Sequence, residues 1–137
     1  MKVREFMEET GVTLRRNQSL KEAARIFVEE GRHILPVVDE DGNFIGIVRK
    51  MDLIWPFIPY YEGEPLNPGS LSDEDARLYL VEDVMEWDVP TVSPEDDLAK
   101  AAALLGREGF ESIPVVEEGK FVGIITATAI CRAFFFP

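Results

Sequence analysis

Cysteine is nearly absent. Cys131 stands alone, so no disulfide can close within the chain, and with His33 as the one histidine neither a four-cysteine nor a Cys/His zinc site can be assembled. The cytoplasm is the expected compartment. Long apolar runs are missing as well: the longest, Leu53 to Tyr61, is nine residues broken by Pro56 and Pro59, too short to span a bilayer or serve as a secretory core. No membrane segment is expected. Positive charge is scarce, with 14 Lys and Arg against 26 Asp and Glu and a net charge of -12, which argues against duplex DNA or RNA as a partner because a polyanion requires a basic face. The scarcity is uneven. Residues 1–54 carry nine Lys and Arg against ten acids and residues 55–137 five against sixteen, so a small anion meets less repulsion on the first part. Glutamine occurs once and asparagine three times, a weak mark of a heat-adapted source. What is present, 137 residues of which 46% are hydrophobic, suits one globular domain or two small ones sharing a core.

Sliding the sequence against itself by 78 residues exposes an internal repeat. Val3-Arg4-Glu5-Phe6-Met7 lies over Val81-Glu82-Asp83-Val84-Met85, Ala23-Ala24 over Ala101-Ala102, and Leu35-Pro36-Val37-Val38 over Ile113-Pro114-Val115-Val116. With one residue dropped in the turn, Gly42 to Val48 falls on Gly119 to Ile125. Two copies, 3–57 and 81–135, are joined by an unmatched segment. The expected organisation is repeat 1 over 1–57, an aromatic and proline-rich insert with the start of a linking helix over 58–80, and repeat 2 over 81–137.

Each copy predicts the same elements. A short helix (Arg4 to Met7; Glu82 to Met85) and a short strand precede a helix whose apolar positions Leu20, Ala23, Ala24, Phe27 and Leu98, Ala101, Ala102, Leu105 recur at helical spacing. Ser93-Pro94-Glu95-Asp96 reads as a cap with proline in the first turn, and Gly31 or Gly109 closes the helix. A buried strand (34–39; 112–117), an acidic glycine turn, an antiparallel strand (43–49; 120–126) and a last helix (50–55; 127–135) follow. One such unit is too small to hide its own apolar sheet face. Two packed sheet to sheet solve that problem, which predicts an α/β fold of pseudo-two-fold β-α-β-β-α repeats.

These residues resemble the cystathionine-beta-synthase-type (CBS) domain, here as a tandem pair or Bateman module. The resemblance rests on the Pro-Val-Val strand, the turn and the glycine-led run after it, in both copies. It implies a disc-like regulatory unit, without catalysis, that senses AMP, ADP, ATP or S-adenosylmethionine as a regulatory ligand rather than a cofactor. The family's strand-to-helix junction runs Gly, two apolar residues, Thr or Ser, two variable residues, Asp. Copy 1 reads Gly46-Ile47-Val48-Arg49-Lys50-Met51-Asp52, keeping the carboxylate and losing the hydroxyl; copy 2 reads Gly123-Ile124-Ile125-Thr126-Ala127-Thr128-Ala129, the reverse.

Family sites are built across the repeats, which implies two clefts. Cleft A would combine Arg49, Met51 and Asp52 with Val89, Pro90, Ile113 and Pro114, with Asp52 on ribose, Arg49 on phosphate and the apolar residues beside adenine. Cleft B would combine Thr126 and Thr128 with Gly11, Val12, Arg32, His33, Leu35 and Pro36, giving phosphate donors but no ribose acceptor. Unequal occupancy is expected, cleft A being the stronger.

A plainer role stands beside each assignment. Arg49 and Asp52 suit a surface ion pair or cap, Thr126 and Thr128 a sheet end, His33 a helix C-terminus, and Cys131 the apolar core. Trp55, Phe57, Tyr60 and Tyr61, among Pro56, Pro59, Pro65 and Pro68, are too aromatic for a solvated linker, and Ser72 is read as the cap of a helix running through Leu78, Val81 and Met85. No Gly-rich phosphate loop or Ser-His-Asp order is visible, so an enzyme is the weakest reading. The rival to ligand sensing is a ligand-free dimerisation or docking module. Apolar residues in both last helices, Phe134, Phe135 and Phe136 with Trp55 or Phe57 opposite, predict a homodimer.

Overall fold

The computed structural model describes residues 1–58 and 72–137. Tyr60, Tyr61, Pro59, Pro65 and Pro68 of the insert lie outside them. Helix α1 (Leu20–Glu30) starts where the Ser19 hydroxyl accepts the Glu22 N–H, buries Leu20, Ala23 and Phe27, and stops at Gly31, whose φ of 62° is left-handed. Hairpin β1 (Ile34–Val38) and β2 (Phe44–Arg49) follows. Two short helices, α2 (Asp73–Ala76) and α3 (Val81–Val84), lead into the second repeat. There α4 (Leu98–Glu108) buries Leu98, Ala101 and Leu105, and β3 (Ser112–Glu117), β4 (Lys120–Thr126) and α5 (Ala127–Phe135) complete the chain.

Several predicted boundaries move. Asp96 accepts the Ser93 N–H at 2.8 Å and closes a turn, so Asp97, not Ser93, caps α4. By the 78-residue shift Asp97 corresponds to Ser19, and the two caps coincide. The helix begun by Ser72 ends at Ala76, because Leu80 turns extended to bridge Ser19 before α3 begins. Residues 50–55 form no continuous helix but two one-turn 3-10 helices, Lys50–Leu53 and Trp55–Phe57; Pro56 lacks the N–H that a continuous α-helix would direct to the Asp52 carbonyl. The leading helix of repeat 1 is likewise a 3-10 turn, Val3–Glu5. The short strands ahead of α1 and α4 reduce to single parallel bridges, Leu14 on Val37 and Val92 on Val115.

The repeats exchange their leading segments. Val3 donates to the Asp96 carbonyl and Glu8 exchanges two backbone hydrogen bonds with Ile124, so the chain start lies along the second hairpin and bridges its β4 strand at Glu8. Symmetrically, Val81 donates to Gln18 and Glu86 exchanges two hydrogen bonds with Ile47 beside the first hairpin. Both crossings need a glycine underneath. A Cβ on Gly46 would lie 2.5 Å from the Glu86 carbonyl oxygen, and one on Gly123 2.5 Å from that of Glu8.

The cores follow the exchange. Val3 joins Val92, Leu98, Ile113, Val115 and Ile125, while Val81 and Met85 join Leu14, Phe27, Leu35, Val37 and Val48. Neither hairpin is covered by its own repeat alone, so the two units stabilise each other through apolar burial. The hairpin turns also meet, with the Phe44 N–H on the Gly119 carbonyl at 2.8 Å and the Phe121 N–H on that of Gly42 at 3.3 Å. Among the described residues no helix is long and apolar enough to cross a membrane.

Candidate functional site

The exchange and the pseudo-two-fold leave a cavity on each side of the axis. Their shared wall is His33, Ile34 and Ser112. His33 and Glu111 occupy equivalent positions of the two repeats and face each other across it, Nε2 to Oε2 at 3.7 Å, both exposed.

Cleft A, about 140 Å³, is lined by Arg49 from the end of β2 and by Gly109, Phe110 and Glu111 from the exit of α4. The Arg49 guanidinium carbon lies 3.9 Å from the centre of the Phe110 ring, and its Nε lies 3.0 Å from Glu86 Oε2. Burial raises the carboxyl pKa of Glu86; Arg49 opposes the rise and Asp52 adds to it, so Asp52 lies within electrostatic reach of the pair. Asp52 itself caps the following 3-10 turn, one oxygen accepting the Arg49 N–H at 2.8 Å. Of the residues expected here, only Arg49 lines the cavity. Met51 is exposed, and Val89 and Pro90 are half-buried away from it. Ile113 and Pro114 are buried in β3, because that strand is covered on both faces.

Cleft B, about 250 Å³, is lined by Glu8, Glu30, Gly31, Arg32, Ile124 and Thr126 besides the shared wall. Arg32 Nη1 pairs with Glu8 Oε2 at 3.0 Å, while its Nε is buried without a hydrogen-bond partner. The Thr126 hydroxyl accepts the Ala129 N–H at 3.0 Å as the N-cap of α5, which leaves its own proton to donate. Arg32, His33 and Thr126 therefore come together as expected. Thr128, two residues further on, is exposed, Gly11 is exposed with open space around it, Val12 packs beside the first core, and Leu35 and Pro36 are fully buried.

The sequence reading missed the acids. Glu8 reaches cleft B, and Glu86 the arginine of cleft A, only through the exchanged segments, and nothing local to either residue announces a crossing. Phe110 was findable: it occupies the repeat position of Arg32. Two further expectations need correction. Cys131 is exposed, because α5 buries Ala129, Ile130 and Ala133 and turns residue 131 away. Phe57 is buried edge-on against Tyr79 at 5.6 Å, so it cannot contribute to an outer interface.

Two α/β repeats with exchanged leading segments and a polar cleft on either side of their axis define a paired-repeat module. The CBS domain family profile matches residues 3–55 and 81–135, and the chain belongs to that family as a tandem pair. An uncharacterized protein of Methanocaldococcus jannaschii, MJ1225, is 31% identical over 126 residues, which is 92% of this chain and 40% of that protein. The CBS domain of a CBS domain-containing membrane protein from Sphaerobacter thermophilus is 28% identical with a TM-score of 0.77, covering 100% of this chain and 90% of that one. CBSX2, solved in complex with AMP, is 27% identical with a TM-score of 0.77, covering 96% and 94%. The chain spans less than half the length of the first curated relatives it matches.

Proposed function

We propose that the chain senses an adenosine-containing nucleotide, AMP, ADP, ATP or S-adenosylmethionine, in the clefts between its repeats and regulates whatever it is joined to or assembles with. The observation that carries this is the composition of cleft B. A single cavity drawn from both repeats places a guanidinium (Arg32), a hydroxyl at a helix start (Thr126) and two carboxylates (Glu8, Glu30) around one space. Arg32 and the α5 terminus suit phosphate, and a carboxylate suits the paired hydroxyls of ribose. The AMP complex of a protein 27% identical to this one supports the ligand class. In cleft A, Arg49 lines the cavity and is proposed for phosphate, while Asp52, outside the lining, is proposed for ribose through the carboxylate oxygen that does not accept the Arg49 N–H. A thermal-shift series with AMP, ADP, ATP and S-adenosylmethionine tests the reading, because a ligand of the native state raises the melting temperature. The expected result is a rise that Arg32→Ala diminishes; no rise with any of them at millimolar concentration overturns it.

A homodimer belongs to the same proposal. Trp55, Phe134, Phe135 and Phe136 are 61%, 51%, 73% and 79% exposed, more apolar surface than a lone disc of this size usually presents. An isologous interface through the α5 end covers it. Light scattering is expected to give twice the 15.5 kDa chain mass, and Phe135→Glu to halve it. The same surface favours the second reading, a docking module without ligand, should the thermal series stay flat.

A further inference from the structure

The geometry points to Arg49 as an internal occupant of cleft A, a latch that a ligand displaces; this rests on the nucleotide reading above. Three features hold the side chain. Its guanidinium lies 3.9 Å from the Phe110 ring centre, the contact a purine base would seek on that same face. Its Nε faces Glu86 at 3.0 Å. Glu86 is fixed in turn by its two backbone hydrogen bonds to Ile47, on the strand that carries Arg49. The latch is thus assembled from the exchanged segment, the strand end and the helix exit of the opposite repeat.

The counterpart cleft lacks the ring contact and has no long side chain at its strand end. Thr126 stands where Arg49 stands and is too short to cross the cleft; its hydroxyl is turned to the Ala129 N–H. Arg32 takes the place of Phe110, so cleft B has no ring, and its arginine, paired with Glu8 at 3.0 Å, lies on the opposite wall from the one that carries Arg49 in cleft A. The cavities differ accordingly, about 140 Å³ in A against 250 Å³ in B. Cleft B fills first, the reverse of the order expected from the junction residues alone. Cleft A opens to a ligand whose phosphate gives Arg49 a new anionic partner in place of Glu86, while the base takes the ring it vacates. Adenosine, which has no phosphate, lacks that exchange and leaves cleft A closed.

Calorimetry of the full chain with AMP and with adenosine, on wild type and Arg49→Thr, tests the latch. The expected wild-type result is one strong AMP site per chain and a second at least about tenfold weaker, the scale of one ion pair and one cation–ring contact. In Arg49→Thr, adenosine gains a second site that wild type lacks. Two equal AMP sites in wild type, or no second adenosine site in Arg49→Thr, overturn the latch and leave the nucleotide reading standing. AMP bound by neither protein overturns that reading. A ligand-free measurement separates the cases: the Arg49 Nε–H proton resonance is expected upfield from the Phe110 ring current and is expected to lose that displacement in Phe110→Leu. An undisplaced resonance in wild type overturns the latch on its own.

Discussion

The two clefts are built from equivalent positions and reach opposite electrostatic arrangements. In cleft A the arginine sits at the strand end and the helix exit offers a ring; in cleft B the strand end offers a hydroxyl and the helix exit the arginine. Each arginine pairs with a glutamate from the same position of the exchanged segment, Glu86 or Glu8, at 3.0 Å. The frame has stayed two-fold while the chemistry has moved across the axis. A duplicated fold can therefore keep one cation per cleft and still make the clefts unequal, because which wall carries the long side chain decides whether the space is filled or open.

The comparison breaks most severely at the crossings. Gly46→Ala and Gly123→Ala each place a methyl group 2.5 Å from a backbone carbonyl oxygen, Glu86 or Glu8, and each is expected to cost about 3 kcal/mol in denaturant melts. If the frame is two-fold in energy as well as in shape, the two losses match; a large loss at only one glycine means that one crossing dominates.

The frame was legible because duplication writes it twice. The self-alignment found both hairpins, and the β3 and β4 bounds, together with α5, fall where periodicity set them. The clefts were less legible. Arg32, His33, Arg49 and Thr126 reach their cavities as expected, whereas Leu35, Pro36, Ile113 and Pro114 lie in strands buried on both faces, which a run of apolar residues cannot distinguish from a ligand-facing edge. Glu8 and Glu86 bridge partners more than 100 and nearly 40 residues away respectively, and no local pattern encodes such a meeting.

A smaller effect sharpens the difference between the junctions. Thr126→Ala removes the α5 cap and is expected to cost about 1 kcal/mol, with Thr126→Ser close to wild type in the same melts. Asp52→Asn keeps an oxygen for the Arg49 N–H and is expected to leave stability nearly unchanged while weakening ligand in cleft A, read by calorimetry on Arg49→Thr with and without the second change.

The smallest effect is a pH dependence that the turn before the long helix has in the second repeat and lacks in the first. The turn before each long helix is closed by a side-chain oxygen on a backbone N–H, Gln18 on Arg15 at 2.7 Å and Asp96 on Ser93 at 2.8 Å, and only the second can titrate. The Ser93 N–H, helped by Lys100, holds the Asp96 carboxyl below its ordinary 3.8, so its contribution is complete above that pH and is lost as the pH falls through the lowered folded value. Asp96→Asn is expected to shallow the stability loss below pH 3.8, and Gln18→Glu to introduce a matching acid dependence in the first repeat. Melts recorded from neutral pH downward check both; an acid limb unchanged by Asp96→Asn places the titrating group elsewhere.

By itself the sequence determined the repeat, the excess of acid and the order of the main elements, the first two because they need only comparison and counting of residue types along the chain, the last because spacing over fewer than about 20 neighbours sets helix and strand. Only the tertiary structure decided that the leading segments cross over, that Glu8 and Glu86 arrive beside the arginines, and that Arg49 lies on Phe110. Those outcomes depend on which surfaces the two units bury against each other, and a hydrophobic pattern fixes what is buried without fixing against whom.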